Sequence, residues 1–214
     1  MAANSTQTKA SMVNGNSKPP HFKPENSALI LIDYQVGTMQ LVKNQMPDTA
    51  LRNAIKLAKS AKAFKMPIVL TSSQEDHSQG STSASLQHVI PEAYASRIAR
   101  KGVVNAWDDE NFKNAVEATG RRQLIMGAIT TDICLVFPAI SAVEDGYEVQ
   151  AVLDACGSPF EIGEEVAGRR MERAGVWLTS TNTMIAELVR DWSTPAGQEL
   201  SPLLTDSIPM LPVD

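Results

Sequence analysis

Short apolar runs alternate with amphipathic helical stretches along most of the chain, and this alternation restricts the fold more than any other feature. The run at residues 28–32 is wholly apolar and too short for a helix, which is typical of a strand buried on both faces of a parallel sheet. It is followed by apolar residues three or four apart, which predict a helix over 49–64. Repeating units of this kind predict strands at 27–33, 66–71, 95–100, 123–127, 148–154 and 175–179. The other predicted helices are 83–89, 108–119, 130–146, 161–174 and 181–192, with Asp108 capping the second of them and Pro138 interrupting the third.

Strict alternation of strand and helix predicts a parallel sheet, because the chain must cross over between neighbouring parallel strands. We therefore expect an α/β fold: a three-layer, doubly wound, Rossmann-like sheet of about six mainly parallel strands with helices on both faces. A chain of 214 residues suits one such domain. We expect a disordered N-terminal tail at 1–25, the domain at 26–193 and an irregular C-terminal tail at 194–214. The apolar residues of that last tail would pack on their own domain or on a neighbouring subunit.

Composition narrows the expected partners. The formal net charge of −5 argues against nucleic acid, whose binding depends on Lys and Arg contacts to phosphate. No apolar run reaches the roughly 18 residues of a membrane helix. Residues 1–22 lack the apolar core of a secretory signal, so we expect a solvated tail on a cytoplasmic protein. A transit peptide is the weaker alternative, because the segment lacks acidic residues but also lacks Arg.

Cysteine and histidine are both scarce. Two cysteines, Cys134 and Cys156, cannot form a disulfide framework, and the three histidines are scattered along the chain. The sequence therefore predicts no metal site and no cofactor. Its expected partner is a small-molecule substrate.

Several polar residues follow predicted strands, and ligands of doubly wound sheets bind beyond the carboxyl ends of the strands. They are Asp33, Lys101, Thr130 and Asp154. Asp33 ends an apolar strand, where desolvation would raise its pKa towards that of a useful general base; an ordinary strand-ending residue is the alternative. Lys101 could hold that carboxylate ionised and orient it, or it could simply face solvent.

Cys134 lies near the start of the helix that follows the strand at 123–127. The free amides and the positive dipole of a helix start stabilise a thiolate, which is the nucleophilic form of cysteine. The same amides would face an oxyanion formed by attack of the thiolate. A buried structural cysteine is the competing interpretation, and it is the one expected for Cys156.

Three motifs together resemble those of a known family. Residues 31–35 (LIDYQ), 101–107 (KGVVNAW) and 127–134 (GAITTDIC) resemble, in this order, the Asp, Lys and Cys motifs of the isochorismatase-like cysteine hydrolases. The resemblance spans about 28–192, and residues 105–108 and 137–139 are most similar to its YcaC-like branch. It implies Asp33 as general base, Lys101 as its electrostatic partner and Cys134 as nucleophile. It also implies a cis peptide bond between Ile129 and Thr130, with the Thr130 and Cys134 amides forming an oxyanion hole.

The resemblance further implies a homo-oligomeric hydrolase that cleaves an amide-type carbon–nitrogen bond through a thioester. Nicotinamidases of the family carry a metal site after the second strand, but residues 71–77 here offer only the pair Asp76 and His77, so we expect metal-independent action. Gln35 and Trp107 are the expected substrate contacts; a loop residue and a core aromatic are their respective alternatives. The competing functional hypothesis is a non-catalytic or thiol redox-sensing protein on the same fold.

Overall fold

The computed structural model describes residues 21–206, and its centre is a six-stranded sheet in which all neighbouring strands are parallel. The strands are β1 Ser27–Ile32, β2 Ile68–Ser73, β3 Ile98–Arg100, β4 Gln123–Ala128, β5 Glu148–Val152 and β6 Trp177–Thr179, in the spatial order β3-β2-β1-β4-β5-β6. The helices of the described residues are α1 Pro47–Ala63, α2 Ala84–Val89, α3 Pro91–Ala95, α4 Glu110–Ala118, α5 Val136–Glu144, α6 Glu161–Arg173, α7 Thr181–Val189 and α8 Pro195–Leu200.

Helices cover both faces of the sheet, as the central strand β1 shows. Leu29 and Leu31 pack into one core with residues of α1, α2 and α7. Ala28, Ile30 and Ile32 point the opposite way, into a second core with α4, α5 and α6. This two-residue alternation places one strand between two apolar layers. The predicted three-layer doubly wound fold is confirmed.

Several element boundaries differ from the sequence prediction, and two of the differences have a clear local cause. The strand predicted at 95–100 begins only at Ile98, because Pro91 opens the short helix α3, where the missing N–H costs nothing. The cap of α4 is Asp109 rather than Asp108: its side chain accepts hydrogen bonds from the amides of Asn111 and Phe112 at 3.0 and 3.1 Å.

The helix predicted at 130–146 is interrupted, as Pro138 indicated. A five-residue π-helical turn at Thr131–Leu135 precedes α5, and the Val136 amide bonds back to the carbonyl oxygen of Thr131. Pro138 has no N–H to donate to the Cys134 carbonyl four residues earlier, so regular α-helical bonding cannot run through this point. The break leaves Cys134 in its own turn at the end of β4.

The C-terminal segment is more regular than expected. Residues 194–206 were predicted to be irregular, but Thr194 caps α8 by accepting from the Gly197 amide, and a 3-10 turn follows at Ser201–Leu204. Leu200 is buried against Ile185 and Val189 of α7, so this part packs on its own domain.

The predictions of disorder and of a transit peptide at the N-terminus fall mostly on residues 1–20, and the final residues of the predicted C-terminal tail are 207–214. Both stretches lie outside the described residues. No helix between residues 21 and 206 is long and apolar enough to cross a membrane.

Candidate active site

The candidate site lies where the strand order reverses. From β1 the chain proceeds outwards to β2 and β3 on one side, and it then returns to place β4 on the other side of β1. Such a switch point opens a crevice at the carboxyl ends of the two central strands. Asp33 follows β1 at this point, and the segment with Thr130 and Cys134 follows β4.

Asp33 is buried and its carboxylate is held by one partner. The residue takes a left-handed conformation (φ 59°), and its amide donates to the Thr71 carbonyl at 2.9 Å. Nη2 of Arg100 lies 2.6 Å from each carboxylate oxygen, and both side chains are almost fully buried. A charge-assisted contact of this kind fixes the carboxylate in place.

Arg100, and not Lys101, is therefore the partner of Asp33, and the prediction for Lys101 is corrected. Arg100 ends β3, where its Nε donates to the Thr71 hydroxyl at 3.0 Å and its Nη1 to the Val103 carbonyl at 2.6 Å. Lys101 is exposed and does not line the cavity described below. Successive side chains of a strand point to opposite sides, so only one of these two neighbouring cations can face Asp33.

Cys134 faces Asp33 from the π-helical turn. Its thiol lies close enough to the Asp33 carboxyl for each group to influence the titration of the other. The Cys134 amide donates to the Thr130 carbonyl at 2.8 Å and so ties the residue to the end of β4. The structure thus brings together Asp33, Arg100 and Cys134 from the ends of three different strands.

Burial dominates the titration of both acidic groups. It raises the pKa of Asp33, although the charge and hydrogen bonds of Arg100 oppose the effect. It also raises the pKa of the Cys134 thiol, and the adjacent Asp33 charge adds to the increase. A stabilised thiolate was expected from the position of Cys134 at a helix start; the structure instead favours a neutral thiol, with the Asp33 carboxyl beside it as the candidate base.

The backbone around Thr130 has the form that the resemblance implies. The Ile129–Thr130 peptide bond is cis. Among the described residues the Thr130 amide has no acceptor, whereas the Cys134 amide is already bonded to the Thr130 carbonyl. Of the two amides predicted for an oxyanion hole, that of Thr130 donates to no other group among the described residues. The Cys134 amide would have to donate to the oxyanion and to the Thr130 carbonyl at the same time.

A cavity of about 370 Å³ opens above these groups. Four of its lining residues are apolar, namely Leu41, Val103, Val104 and Ile133, and together we call them the apolar wall. Uncharged polar residues form much of the rest. The remaining lining residues are Asp33, Gly37, Thr38, Ser73, Gln74, Ser78, Gln79, Arg100, Gly102, Thr130 and Cys134. A cavity of this size and lining suits a small organic molecule.

Gln35 does not line this cavity, contrary to its prediction as a substrate contact. Its side chain is fully buried: Nε2 donates to the Ser73 and Gly80 carbonyls, and Oε1 accepts from the Ser73 amide at 2.8 Å. These three bonds fasten the loop after β2, which supplies Ser73, Gln74, Ser78 and Gln79 to the cavity. Gln35 is therefore placed to position the loop.

Trp107 also lies away from the cavity and belongs to the core. It packs edge-on against Phe112 and Tyr147, with ring centroids 6.1 and 5.5 Å away, and its Nε1 donates to Asp145 at 2.8 Å. The prediction of a substrate contact is wrong, because the turn at Ala106–Asp108 directs the ring inwards.

The remaining residues that the sequence singled out lie away from the cavity. Cys156 is fully buried, with its thiol 3.0 Å from the Val152 carbonyl. Asp154 caps α7 by accepting from the amide and hydroxyl of Thr181 at 2.7 and 2.8 Å. His77 is exposed, and no group of three or more His, Cys, Asp or Glu residues within 21–206 is arranged to hold a metal ion.

The sequence analysis missed Arg100 and Thr38. Arg100 had a usable signal, since it lies two positions after Ile98 in the same strand and thus shares its side of the pleat. Thr38 lines the cavity with a buried hydroxyl that has no partner among the described residues. It lies in a short 3-10 turn after β1, a position without a sequence signature.

The parallel three-layer fold brings a partly exposed cysteine, a buried carboxylate and a buried guanidinium together at its switch point, and this arrangement suits an α/β enzyme of the hydrolase class. The isochorismatase domain model matches residues 27–183, and the chain belongs to the isochorismatase family of hydrolases. It is 38% identical over 184 residues to the probable hydrolase YcaC of Escherichia coli K12, covering 86% of this chain and 87% of that protein.

Solved structures agree with this assignment. YcaC from Pseudomonas aeruginosa, determined with hexane-2,5-diol and covalent acrylamide, has a TM-score of 0.85 at 35% identity and covers 90% of this chain and 94% of its own. The E. coli YcaC structure, an octameric hydrolase of unknown specificity, has a TM-score of 0.83 at 39% identity over 90% and 93% of the two chains. The predicted similarity to the YcaC-like branch is confirmed.

Proposed function

We propose that this chain hydrolyses the carbon–nitrogen bond of a small amide-type substrate through a thioester on Cys134. Asp33 is the general base in this proposal and Arg100 its electrostatic partner. The observation that carries it is the Cys134 thiol facing a buried, Arg-held carboxylate at a cavity of about 370 Å³.

The first half-reaction starts from a neutral thiol. Asp33 takes the thiol proton as sulfur attacks the substrate carbonyl carbon, and the carbonyl oxygen becomes an oxyanion. The Thr130 amide, which has no acceptor among the described residues, donates to that oxygen. Collapse of the intermediate breaks the carbon–nitrogen bond, and Asp33 returns the proton to the leaving nitrogen.

The second half-reaction releases the acid. Asp33, again ionised, takes a proton from a water molecule that attacks the thioester carbonyl. The carbon–sulfur bond breaks, the carboxylic acid forms, and the proton on Asp33 returns to the Cys134 sulfur. Arg100 keeps the carboxylate oriented through both steps, because its Nη2 contacts both oxygens.

The proposal includes metal-independent action, since the steps as written need only side chains and amides of this chain and a water molecule. The donors of the loop after β2 are engaged elsewhere or exposed: Glu75 binds Arg97 through both carboxylate oxygens at 2.7 Å, and His77 faces solvent. We expect turnover to be unchanged after incubation with a chelator. Loss of activity restored by a divalent cation would contradict this part.

The covalent acrylamide in P. aeruginosa YcaC is consistent with a nucleophilic thiol in this group of proteins, because acrylamide reacts with thiols by conjugate addition. The competing hypothesis of a redox sensor requires an accessible thiolate. Burial and the Asp33 charge both raise the pKa of Cys134, which favours the hydrolase.

We further propose that the protein is a homo-oligomer of the cytoplasm. The octameric state of E. coli YcaC supports the first part, and the exposed side chains of Phe160, Ile162 and Val166 offer apolar surface for contacts between copies. Two free cysteines suit a reducing compartment. Light scattering should give a mass well above the 23.1 kDa of one chain.

The decisive experiment compares wild type, C134A and C156A on a panel of small amides and ureido compounds. We expect hydrolysis by wild type and by C156A, and none by C134A. Mass spectrometry of quenched wild-type reactions should show the acyl group on the peptide containing Cys134. Amide hydrolysis by C134A at the wild-type rate would overturn the mechanism.

A further inference from the structure

The two charged groups at the cavity are paired with each other. Of the lining residues, only Asp33 and Arg100 carry charge. Arg100 uses all three guanidinium nitrogens, on the Thr71 hydroxyl, the Val103 carbonyl and the Asp33 carboxylate. Its side chain is 1% exposed, so the guanidinium is shielded from a substrate anion. Both Asp33 oxygens accept from Arg100, which leaves no free anion for a substrate cation.

The other recognition groups are uncharged. The Thr38 hydroxyl is buried, lines the cavity and has no partner among the described residues, so it offers an unused hydrogen-bonding group. Gln74 accepts a hydrogen bond from Gln79 at 2.9 Å through its side-chain oxygen. Its amide nitrogen donates to none of the described residues. Hydroxyl and amide groups of this kind hydrogen-bond neutral polar substituents without supplying a counter-charge.

We propose that the cavity selects an uncharged substrate whose aliphatic part lies on the apolar wall of Leu41, Val103, Val104 and Ile133. A carboxylate or ammonium group brought against this wall would lose water and gain no partner. Placed next to the ion pair instead, a carboxylate would compete with Asp33 for Arg100, and an ammonium group would compete with Arg100 for Asp33. Either would disturb the proposed base. The assumption that this substrate carries a reacting amide rests on the proposed function. The preference for an uncharged molecule is a property of the cavity.

Alkylation of Cys134 tests the charge preference without turnover. Iodoacetamide and iodoacetate are close in size and differ by one charge, and both transfer their carbon to sulfur with release of iodide. Rates at Cys134, measured by peptide mass spectrometry, are divided by the rates for a small free thiol at the same pH. We expect iodoacetate to be disfavoured at least about tenfold relative to iodoacetamide after this correction.

Two variants at the rim provide the matched comparison. Val104 is 59% exposed, so substitution there spares the core. V104K adds a cation to the apolar wall and should recover at least about threefold in the relative rate of iodoacetate. V104M adds similar length without charge and should leave the ratio as in wild type.

The outcomes separate this inference from the proposed function. Equal corrected rates for the two reagents, or an equal response to V104K and V104M, would overturn the charge preference, and so would failure of both reagents to label Cys134. A second experiment compares the hydrolysis of butyramide with that of succinamate, which carries a carboxylate in place of the terminal methyl group. Hydrolysis of neither amide, with the alkylation ratio as expected, would count against the amide panel of the proposed function and leave the selectivity of the cavity established.

Discussion

Arg100 contacts both carboxylate oxygens of Asp33 through a single nitrogen, with each distance 2.6 Å. The pair is buried, so its members depend on each other: the carboxylate offsets the cost of burying the guanidinium, and the guanidinium opposes the rise that burial causes in the pKa of Asp33. This relationship connects β3, at the edge of the sheet, to the base that follows the central strand β1.

We expect R100M to damage catalysis and K101M to leave it unchanged. Without the guanidinium, burial raises the pKa of Asp33 further, so the base is protonated at neutral pH and kcat/KM falls by about a hundredfold or more. Breaking a buried pair also lowers the free energy of unfolding by about 3–5 kcal/mol, less whatever protonation of Asp33 recovers.

The pH profile separates this effect from general damage. In R100M the acid limb of kcat/KM should move to higher pH, since the base needs a higher pH to ionise. Urea unfolding of both variants supplies the stability comparison. A large loss of activity in K101M, with R100M active, would restore Lys101 as the partner of Asp33.

Sequence analysis could find the site because its main signals are local. A wholly apolar run ending in Asp33, and a glycine-containing strand followed by a helix start with Cys134, indicate two strand ends at one edge of a parallel sheet. The choice between Arg100 and Lys101 depends instead on the pleat at the end of a three-residue strand. A shift of one residue reverses the side to which each side chain points.

Other features depend on tertiary packing. The raised pKa of Cys134 comes from burial and from Asp33, which is distant in sequence, and these outweigh the local effect of a helix start. Leu200 is buried because α7 packs against it. The C-terminal segment has no periodicity that would indicate this partner. Trp107 and Gln35 lie next to motif residues, but adjacency in sequence does not decide which side chain faces the cavity.

The general base sets the acid limb of activity. As the proposed base, Asp33 can take the thiol proton only when it is ionised, and burial raises its pKa above the ordinary carboxyl value of 3.8. We therefore expect kcat/KM to fall as the pH decreases through this raised value. Initial rates between pH 4 and pH 8, with circular dichroism to verify folding, measure the midpoint. A midpoint at or below 3.8 would contradict the role of burial at Asp33.

The two cysteines should differ in reactivity as they do in exposure. Cys134 is partly exposed at the cavity, and Cys156 is fully buried with its thiol bonded to the Val152 carbonyl. Iodoacetamide should label Cys134 in the native protein and Cys156 only after unfolding. D33N should slow labelling of Cys134 by at least about tenfold, because the base that takes the thiol proton is lost. Labelling of D33N at the wild-type rate would show that the thiol ionises without Asp33.

Gln35 should act through the loop that it fastens. Q35L removes all three bonds of this side chain and leaves the Ser73 amide, the Ser73 carbonyl and the Gly80 carbonyl without that partner, which should lower the free energy of unfolding by about 2–3 kcal/mol. The loop supplies Gln74 and Gln79 to the cavity, so KM should rise as well. Q40L, at an exposed position nearby, should change neither quantity. A rise in KM with unchanged stability would indicate that Gln35 touches substrate.

Trp107 provides the opposite case, in which stability should change and activity should not. W107F keeps an aromatic ring between Phe112 and Tyr147 but removes the hydrogen bond from Nε1 to Asp145. Loss of this bond and of part of the ring should lower the free energy of unfolding by about 1–2 kcal/mol. Because the ring does not line the cavity, kcat and KM should stay within about twofold of wild type. A KM that rises about tenfold, while the urea midpoint stays at the wild-type value, would place Trp107 in the substrate site after all.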